Sequence, residues 1–337
     1  MTAFRAFRIH EDRPDGRSVI RAGFELLGVD DLTAGDVVIR VGWSDINYKD
    51  ALAATGAGRI LRRYPLVGGV DLSGIVESST DARYRPGDKV LVTGCGLSET
   101  LDGGYAEFAR VPGDAVIPLP PALSLRDAMA LGTAGFTAAL AIHRMEHNGQ
   151  HPAKGPIAVT GATGGVGSIA IDMLKGRGYR VIAITGKADE ADYLRALGAD
   201  EVRLRGDIDL AANRPLEKAQ FGGAIDNVGG SLLSWLCRST DGWGNVASIG
   251  LAGGAQLDTS VMPFILRGVN LLGINSSATP REPRLAVWKR IATDLRPQQL
   301  ARIVTREVAF DDLPAAFSAF IDNRNAGRTL VRIGGGE

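Results

Sequence analysis

The stretch Gly161-Ala162-Thr163-Gly164-Gly165-Val166-Gly167 follows a short apolar run, Ile157–Thr160, and leads into a helical pattern over 166–177. That order suits a pyrophosphate. Glycines lacking Cβ let the backbone approach the anion, and unpaired N–H groups at a helix start face it. A bare glycine pattern also serves tight packing, so the strand, turn and helix context carries the reading. At the end of the next strand an acidic residue would bind a ribose 2′-hydroxyl and repel a 2′-phosphate. Thr185-Gly186-Lys187 stands there instead, and a hydroxyl, a flexible glycine and an ammonium suit the phosphate. NADPH is therefore expected rather than NADH. Arg205, after the third strand, adds a second charge or is a solvated surface arginine.

Metal chemistry has little to draw on. The two cysteines, Cys95 and Cys237, are too few for a cysteine-rich site or a secreted disulfide framework, and a reducing cytoplasm is expected. His143 and His147 are spaced i, i+4 on a helical pattern but lack the intervening glutamate and third ligand of a catalytic zinc site. No metal is expected. With 38 basic and 38 acidic residues the net charge is zero, so no global field favours nucleic acid or an anionic membrane. The first ten residues lack a signal peptide's apolar run, and no stretch of 18 successive apolar residues offers a membrane span.

The elements that must position these residues fall into two groups, as 337 residues would suggest. Residues 1–124 are punctuated by Gly and Pro. They carry β-type runs over 36–41, 74–77 and 89–93, the last fed by the turn Arg85-Pro86-Gly87-Asp88. Residues 125–310 alternate helical patterns (125–131, 135–145, 166–177, 188–197) with strands (157–160, 179–185, 224–227, 245–250, 270–274). That alternation implies an α/β, doubly wound parallel sheet of Rossmann type. A helix over 313–323 and a strand over 328–333 close the chain, and 311–337 is expected to return to the first domain.

This layout resembles the medium-chain dehydrogenase/reductase superfamily, in which a GroES-like β-rich catalytic domain precedes a Rossmann domain. Where its zinc alcohol dehydrogenases carry a cysteine and, further on, Gly-His-Glu, this chain has Trp43-Ser44-Asp45-Ile46-Asn47 and Gly69-Val70-Asp71. Both metal ligands are gone. The closer resemblance is to the zinc-independent acryloyl-CoA reductase or quinone-oxidoreductase-like family. It rests on Asn47-Tyr48-Lys49-Asp50, Arg63-Tyr64-Pro65, Gly69-Val70-Asp71-Leu72-Ser73-Gly74, Val92-Thr93-Gly94, Gly103-Gly104-Tyr105, Gly132-Thr133-Ala134-Gly135-Phe136-Thr137-Ala138 and Gly327-Arg328-Thr329.

The resemblance implies an active-site pair, Asn47 and Asp71, with Tyr48 on the nicotinamide side. It implies cofactor contacts at Thr163, Gly164, Gly165, Val166, Thr185, Gly186 and Lys187, and further ones at Arg205, Leu251, Ser276 and Asn323. Lys187 departs from the family's more usual arginine, keeping a charge but losing a bidentate fork, and Thr163 replaces a serine. Reduction of an enoyl thioester builds an oxyanion, so Asn47 and Tyr48 are expected to donate to it while Asp71 orients them. Without the resemblance, Asn47 would read as a turn residue, Tyr48 as a half-buried ring and Asp71 as a backbone cap.

Arg59, Arg62 and Arg63 are the candidate anchors for coenzyme A phosphates, with Arg281 and Arg284 as rivals and a solvated loop as the plain alternative. The expected reaction is NADPH-dependent reduction of a short enoyl-CoA, acryloyl-CoA to propionyl-CoA. A quinone or activated-alkene reductase is the neighbouring alternative, and a non-catalytic NADPH-binding protein the alternative of another class. The resemblance implies a homodimer that pairs two Rossmann sheets edge to edge, and a sheet edge near residues 270–274 that would otherwise be an association hazard gives this a physical basis.

Overall fold

The computed structural model describes residues 3–211 and 214–334. The chain forms two compact units. One comprises Met1–Thr133, Ser277–Trp288 and Val304–Glu337, and the other Ala134–Ser276 and Lys289–Ile303. The division lies nine residues later than the sequence pattern placed it, because one helix, Leu125–His147, carries the chain from the first unit into the second. The sequence pattern gives two helices here. The structure joins them across a single non-helical residue, Gly132.

The second unit holds a six-stranded sheet, parallel throughout. Its order is Glu201–Leu204, Val181–Thr185, Ile157–Thr160, Phe221–Asp226, Thr240–Ser248, Asn270–Gly273. Every residue of the three strands Val181–Thr185, Ile157–Thr160 and Phe221–Asp226 is buried, and apart from their C-terminal Thr185, Thr160 and Asp226 they carry only apolar residues and glycine, as a sheet covered on both faces requires. Strand order reverses beside Ile157–Thr160, the point where doubly wound sheets open a ligand crevice. Residues 188–197 form a 3-10 turn, Ala188–Glu190, and a short helix, Ala191–Ala196, rather than one helix.

The first unit is built on a seven-stranded sheet running Val304–Ala309, Arg328–Arg332, Val37–Ile46, Asp71–Ser79, Lys89–Thr93, Ile117–Pro118, with Phe108–Val111 also paired to Val37–Ile46. A hairpin of Phe4–Asp12 and Val19–Leu27, in continuous nine-pair register, escaped the sequence reading. Its outward positions carry charges such as Arg5, Arg21 and Glu25, which blur the apolar alternation. The C-terminal strand matters most for function. Antiparallel pairing sets Leu330 opposite Asp45 and Thr329 opposite Ile46, which brings the end of the chain to the Asn47 loop.

Candidate active site

Strand Val37–Ile46 ends in a buried stretch, Trp43 to Ile46, and passes through Asn47 into the eight-residue helix Tyr48–Thr55. Asn47 occupies the cap position, yet its side chain turns elsewhere. Its Nδ2 donates to Asp45 Oδ1 at 2.6 Å and to Asp71 Oδ2 at 2.9 Å, and its Oδ1 accepts from Arg328 NH1 at 3.1 Å. Asp71, opening strand Asp71–Ser79, also accepts from the Thr133 N–H at 2.7 Å and the Thr133 hydroxyl at 2.5 Å. Arg328 donates to Asp45 Oδ2 at 2.6 Å and to the carbonyls of Ala130 and Met129. Asp50 closes the group from below. Its carboxylate accepts the N–H of Asn47 at 2.8 Å and of Val70 at 3.0 Å, tying the helix start to the loop before Asp71.

Asp45, Asp50, Asp71 and Arg328 are all buried. Burial pushes the Asp45 carboxyl well up despite Arg328 beside it, with Asp71 and Asp50 adding like-charge repulsion. Burial likewise pushes Asp50 up to about 7. Gly132 makes room for the cluster. Its φ of +51° belongs to glycine, and a β-carbon there would overlap the Asp45 carboxylate and lie 2.7 Å from Arg328 NH2 and 2.8 Å from Asp71 Oδ2.

This geometry corrects the part expected of Asn47. Both its amide hydrogens are taken by carboxylates, so none is left for a substrate oxygen. Tyr48 differs: the residue is 54% exposed. Sequence reading missed Asp45, Asp50, Gly132, Thr133 and Arg328 as members of the site. A charged residue inside an otherwise buried strand, as Asp45 and Arg328 are, was the available signal, since such a group must find a partner.

The positions that held zinc ligands in the resembling dehydrogenases serve the backbone and the core here. The Ser44 hydroxyl donates to the Asp71 carbonyl at 2.7 Å, and Val70 is a buried aliphatic side chain. Among the described residues no group of three or more His, Cys, Asp or Glu could hold a metal ion. Arg59 and Arg62 are exposed and line a cleft of about 400 Å³ with Lys49, Ile60, Leu61 and Glu99. Arg63 is exposed but lies outside that lining. The rivals are committed elsewhere: Arg281 donates to the carbonyls of Asp114 and Val116 and to the Tyr84 hydroxyl, and buried Arg284 to those of Thr93, Ser277 and Thr279.

In the second unit the glycine turn leads into helix Gly165–Gly176, whose cap residue Gly164 supplies no side chain and whose first turn carries no acid. A β-carbon on Gly167 would overlap the Gly161 carbonyl oxygen and lie 2.8 Å from Ala162 Cα, so the helix start packs against the turn as only glycine permits. Thr163 is buried, while Gly164, Gly165 and Val166 stay partly open. Nearby, Asn227 Nδ2 holds the Thr160 carbonyl at 2.8 Å, and its buried Oδ1 has no partner. An anion-accepting helix start, a side-chain-free cradle and an unused acceptor fit a dinucleotide. Buried Thr185 accepts the Lys187 N–H at 3.0 Å, shaping the turn that carries Gly186. Arg205 is exposed after strand Glu201–Leu204, Leu251 and Asn323 are exposed, and Ser276 is half-buried.

Comparison with known proteins agrees with this layout. Residues 33–121 match the alcohol dehydrogenase GroES-like domain, and residues 165–293 the family described as zinc-binding dehydrogenase. The acrylyl-CoA reductase AcuI of Ruegeria pomeroyi is 43% identical over 330 residues, spanning 98% of this chain and 99% of that one. The chain belongs to the medium-chain dehydrogenase/reductase superfamily, in its zinc-independent branch. YhfP of Bacillus subtilis, provisionally named a quinone oxidoreductase, is 47% identical over 332 residues, 98% of this chain and 99% of its own. Its structure with NAD bound superposes with a TM-score of 0.95, covering 99% of this chain and all of the other at 46% identity. The YhdH oxidoreductase of Salmonella enterica in complex with NADP gives 0.92 at 44% identity, covering 98% and 100%. Ser44 and Val70 show how this superfamily member keeps the dehydrogenase frame without the ligands that the second family's description refers to.

Proposed function

We propose that the protein reduces the carbon–carbon double bond of a short enoyl-CoA, acryloyl-CoA to propionyl-CoA, with NADPH as cofactor. Bound at the Gly161 to Gly167 turn, NADPH supplies a hydride. Thr163, Gly164, Gly165 and Val166 would hold its pyrophosphate, and Thr185, Gly186 and Lys187 its 2′-phosphate, with Arg205 adding charge. Leu251, Ser276 and Asn323 are the remaining proposed contacts. One relative is solved with NADP and another with NAD, so the preference rests on Lys187 and the missing acid at the strand end.

Hydride addition at the β-carbon leaves negative charge on the thioester oxygen until a proton reaches the α-carbon. A donor aimed at that oxygen stabilises the transition state. We assign this to the exposed Tyr48 phenol, with Asn47 and Asp71 setting the helix start from which it projects. The observation that carries the substrate class is the cleft holding Lys49, Arg59 and Arg62, which begins one residue after Tyr48. Lys49 pairs with Glu99 at 3.2 Å, so three cations face a single acid there. That suits the phosphates of coenzyme A, which a quinone lacks. Arg63, outside the cleft lining, is the weakest of the proposed anchors.

The test compares acryloyl-CoA, acryloyl-pantetheine and a quinone as substrates of the protein and of the double variant Arg59→Glu/Arg62→Glu. The variant should raise the KM for acryloyl-CoA by about tenfold or more, a loss of at least ~1.4 kcal/mol, and leave the other two unchanged. Equal effects on all three substrates, or a quinone turned over faster than either thioester, would replace this reading with the quinone reductase one. A non-catalytic role has no support, since the relatives at 43–47% identity bear oxidoreductase names.

Among the described residues the strand Asn270–Gly273 has a neighbouring strand on one side only and follows exposed Val261, Ile265 and Leu266 in sequence, and we propose that a second copy of the chain covers this edge. Sedimentation at micromolar concentration should give a dimer, and Ile265→Glu a monomer. We place the enzyme in the cytoplasm, where free Cys95 and Cys237 stay reduced. No helix among the described residues is long and apolar enough to cross a membrane.

A further inference from the structure

The acid cluster in the first unit holds more carboxyl groups than its cations can balance. Asp45, Asp50 and Asp71 are buried around one guanidinium, that of Arg328. The other groups that act on them are Tyr105, whose buried hydroxyl donates to the Asp45 carbonyl at 2.8 Å, Cys95, and Arg284, which is held by carbonyls. None supplies a second close positive charge. Asp45 and Asp71 also flank a single nitrogen, Asn47 Nδ2, which gives one hydrogen to each. Gly132 lies against both carboxyl groups with no side chain to separate them. Two ionised carboxylates can only accept hydrogen bonds, so a pair this close and this dry repels itself unless a proton joins it.

We infer that the Asp45 carboxyl, which shares the Asn47 amide nitrogen with Asp71, holds a proton in the resting protein, and that this acid, with Asp71 and Arg328, fixes the Asn47 amide. The pair then carries one negative charge, matched by Arg328. Burial and like-charge repulsion, which push Asp45 well up, act in the same direction. Asp45 is a positioning residue in this scheme. Its carboxyl holds Asn47 and Arg328 in place, and Asn47 in turn leads into the helix start that carries Tyr48. Loss of that proton to solvent at high pH, above the titration of Asp50, adds a further negative charge to the cluster, which opposes an oxyanion forming nearby.

This inference rests on the enoyl reductase reading for its kinetic consequence but not for its first test. Infrared difference spectra of the substrate-free protein at about pH 8.5, above the titration of Asp50, should show the carbonyl band of a protonated carboxylic acid. The band should vanish in Asp45→Asn and also in Asp71→Asn, because either change leaves a lone carboxylate that ionises against Arg328. Absence of the band from the unsubstituted protein, or its persistence in both variants, overturns the inference whatever the substrate is. Kinetically, in an Asp50→Asn background, which removes the titration near pH 7, kcat/KM should fall on the alkaline side. Asp45→Asn should remove that fall and retain at least tenfold more turnover than Asp45→Ala, with the KM for NADPH unmoved. An unchanged alkaline limb in Asp45→Asn also overturns it.

Discussion

The two units build their candidate sites by different means. In the glycine turn of the second unit, proposed above to hold the dinucleotide, the groups offered to a ligand are backbone N–H donors. Identity there is written as missing side chains: Gly164 at the helix cap and Gly167 packed against Gly161 and Ala162. The cluster of the first unit is made of side chains from four separate places: Asp45, Asn47 and Asp50 together, then Asp71, Thr133 and Arg328. A backbone site is local and tolerates change around it. A side-chain cluster depends on register, since one residue of slip on the C-terminal strand would turn Arg328 to the opposite face.

The largest effect should therefore come from a single methyl group in the first unit. Gly132→Ala adds a β-carbon where the Asp45 carboxylate sits and forces an L side chain into a φ of +51°. Displacing a catalytic group by ~1 Å commonly costs about a hundredfold in rate, and we expect at least that loss of turnover. NADPH binding, followed by fluorescence titration, should stay within about threefold of the unsubstituted protein (~0.7 kcal/mol). A variant that keeps full turnover would mean that the cluster relaxes freely and that the contrast between the units is false.

A smaller effect is expected in the second unit, where one side chain adds to a backbone cradle. Lys187→Ala should raise the KM for NADPH by about tenfold, near 1.4 kcal/mol for one charged phosphate contact, and leave the KM for NADH almost unmoved. Equal changes for the two cofactors would remove Lys187 from the 2′-phosphate.

The same contrast governs how much could be read from sequence. The glycine turn, the alternating helices and strands, and the missing acid at the strand end were all legible, because each is decided within a few neighbouring residues. Asn47 and Asp71 came into view through resemblance, but the occupation of the Asn47 amide by two carboxylates did not. That depends on Asp45 at two residues' distance and Asp71 at twenty-four, and on a strand from the far end of the chain. Arg281 and Arg284 looked like free cations in sequence because nothing local reveals the carbonyls that hold them. The kink at Gly132 was hidden for a similar reason. Its glycine is required by carboxyl groups from other segments, not by the helix in which it stands.

The mildest expected effect is on stability rather than rate, and it belongs to the first unit. Asp50 is buried, and its carboxyl is pushed up to about 7 from an ordinary value of 3.8. Between those values the folded protein binds a proton that the unfolded chain has released. Stability from this source is therefore fully present below about pH 4, declines as pH rises, and is lost once pH passes about 7. Protonation of Asp45, whose carboxyl burial also pushes up, has the same sign. The thermal midpoint should fall by a few degrees, about 2–4 °C for each kcal/mol, between about pH 5 and about pH 8. Asp50→Asn cannot ionise, so it should flatten that slope while lowering the midpoint at the acid end, where the amide nitrogen meets a backbone N–H that the carboxyl oxygen had accepted. Differential scanning calorimetry of both proteins across the range decides the matter. A midpoint that rises through this window, or an equal slope in Asp50→Asn, would show that Asp50 is ionised throughout and that the cluster carries more charge than its burial allows.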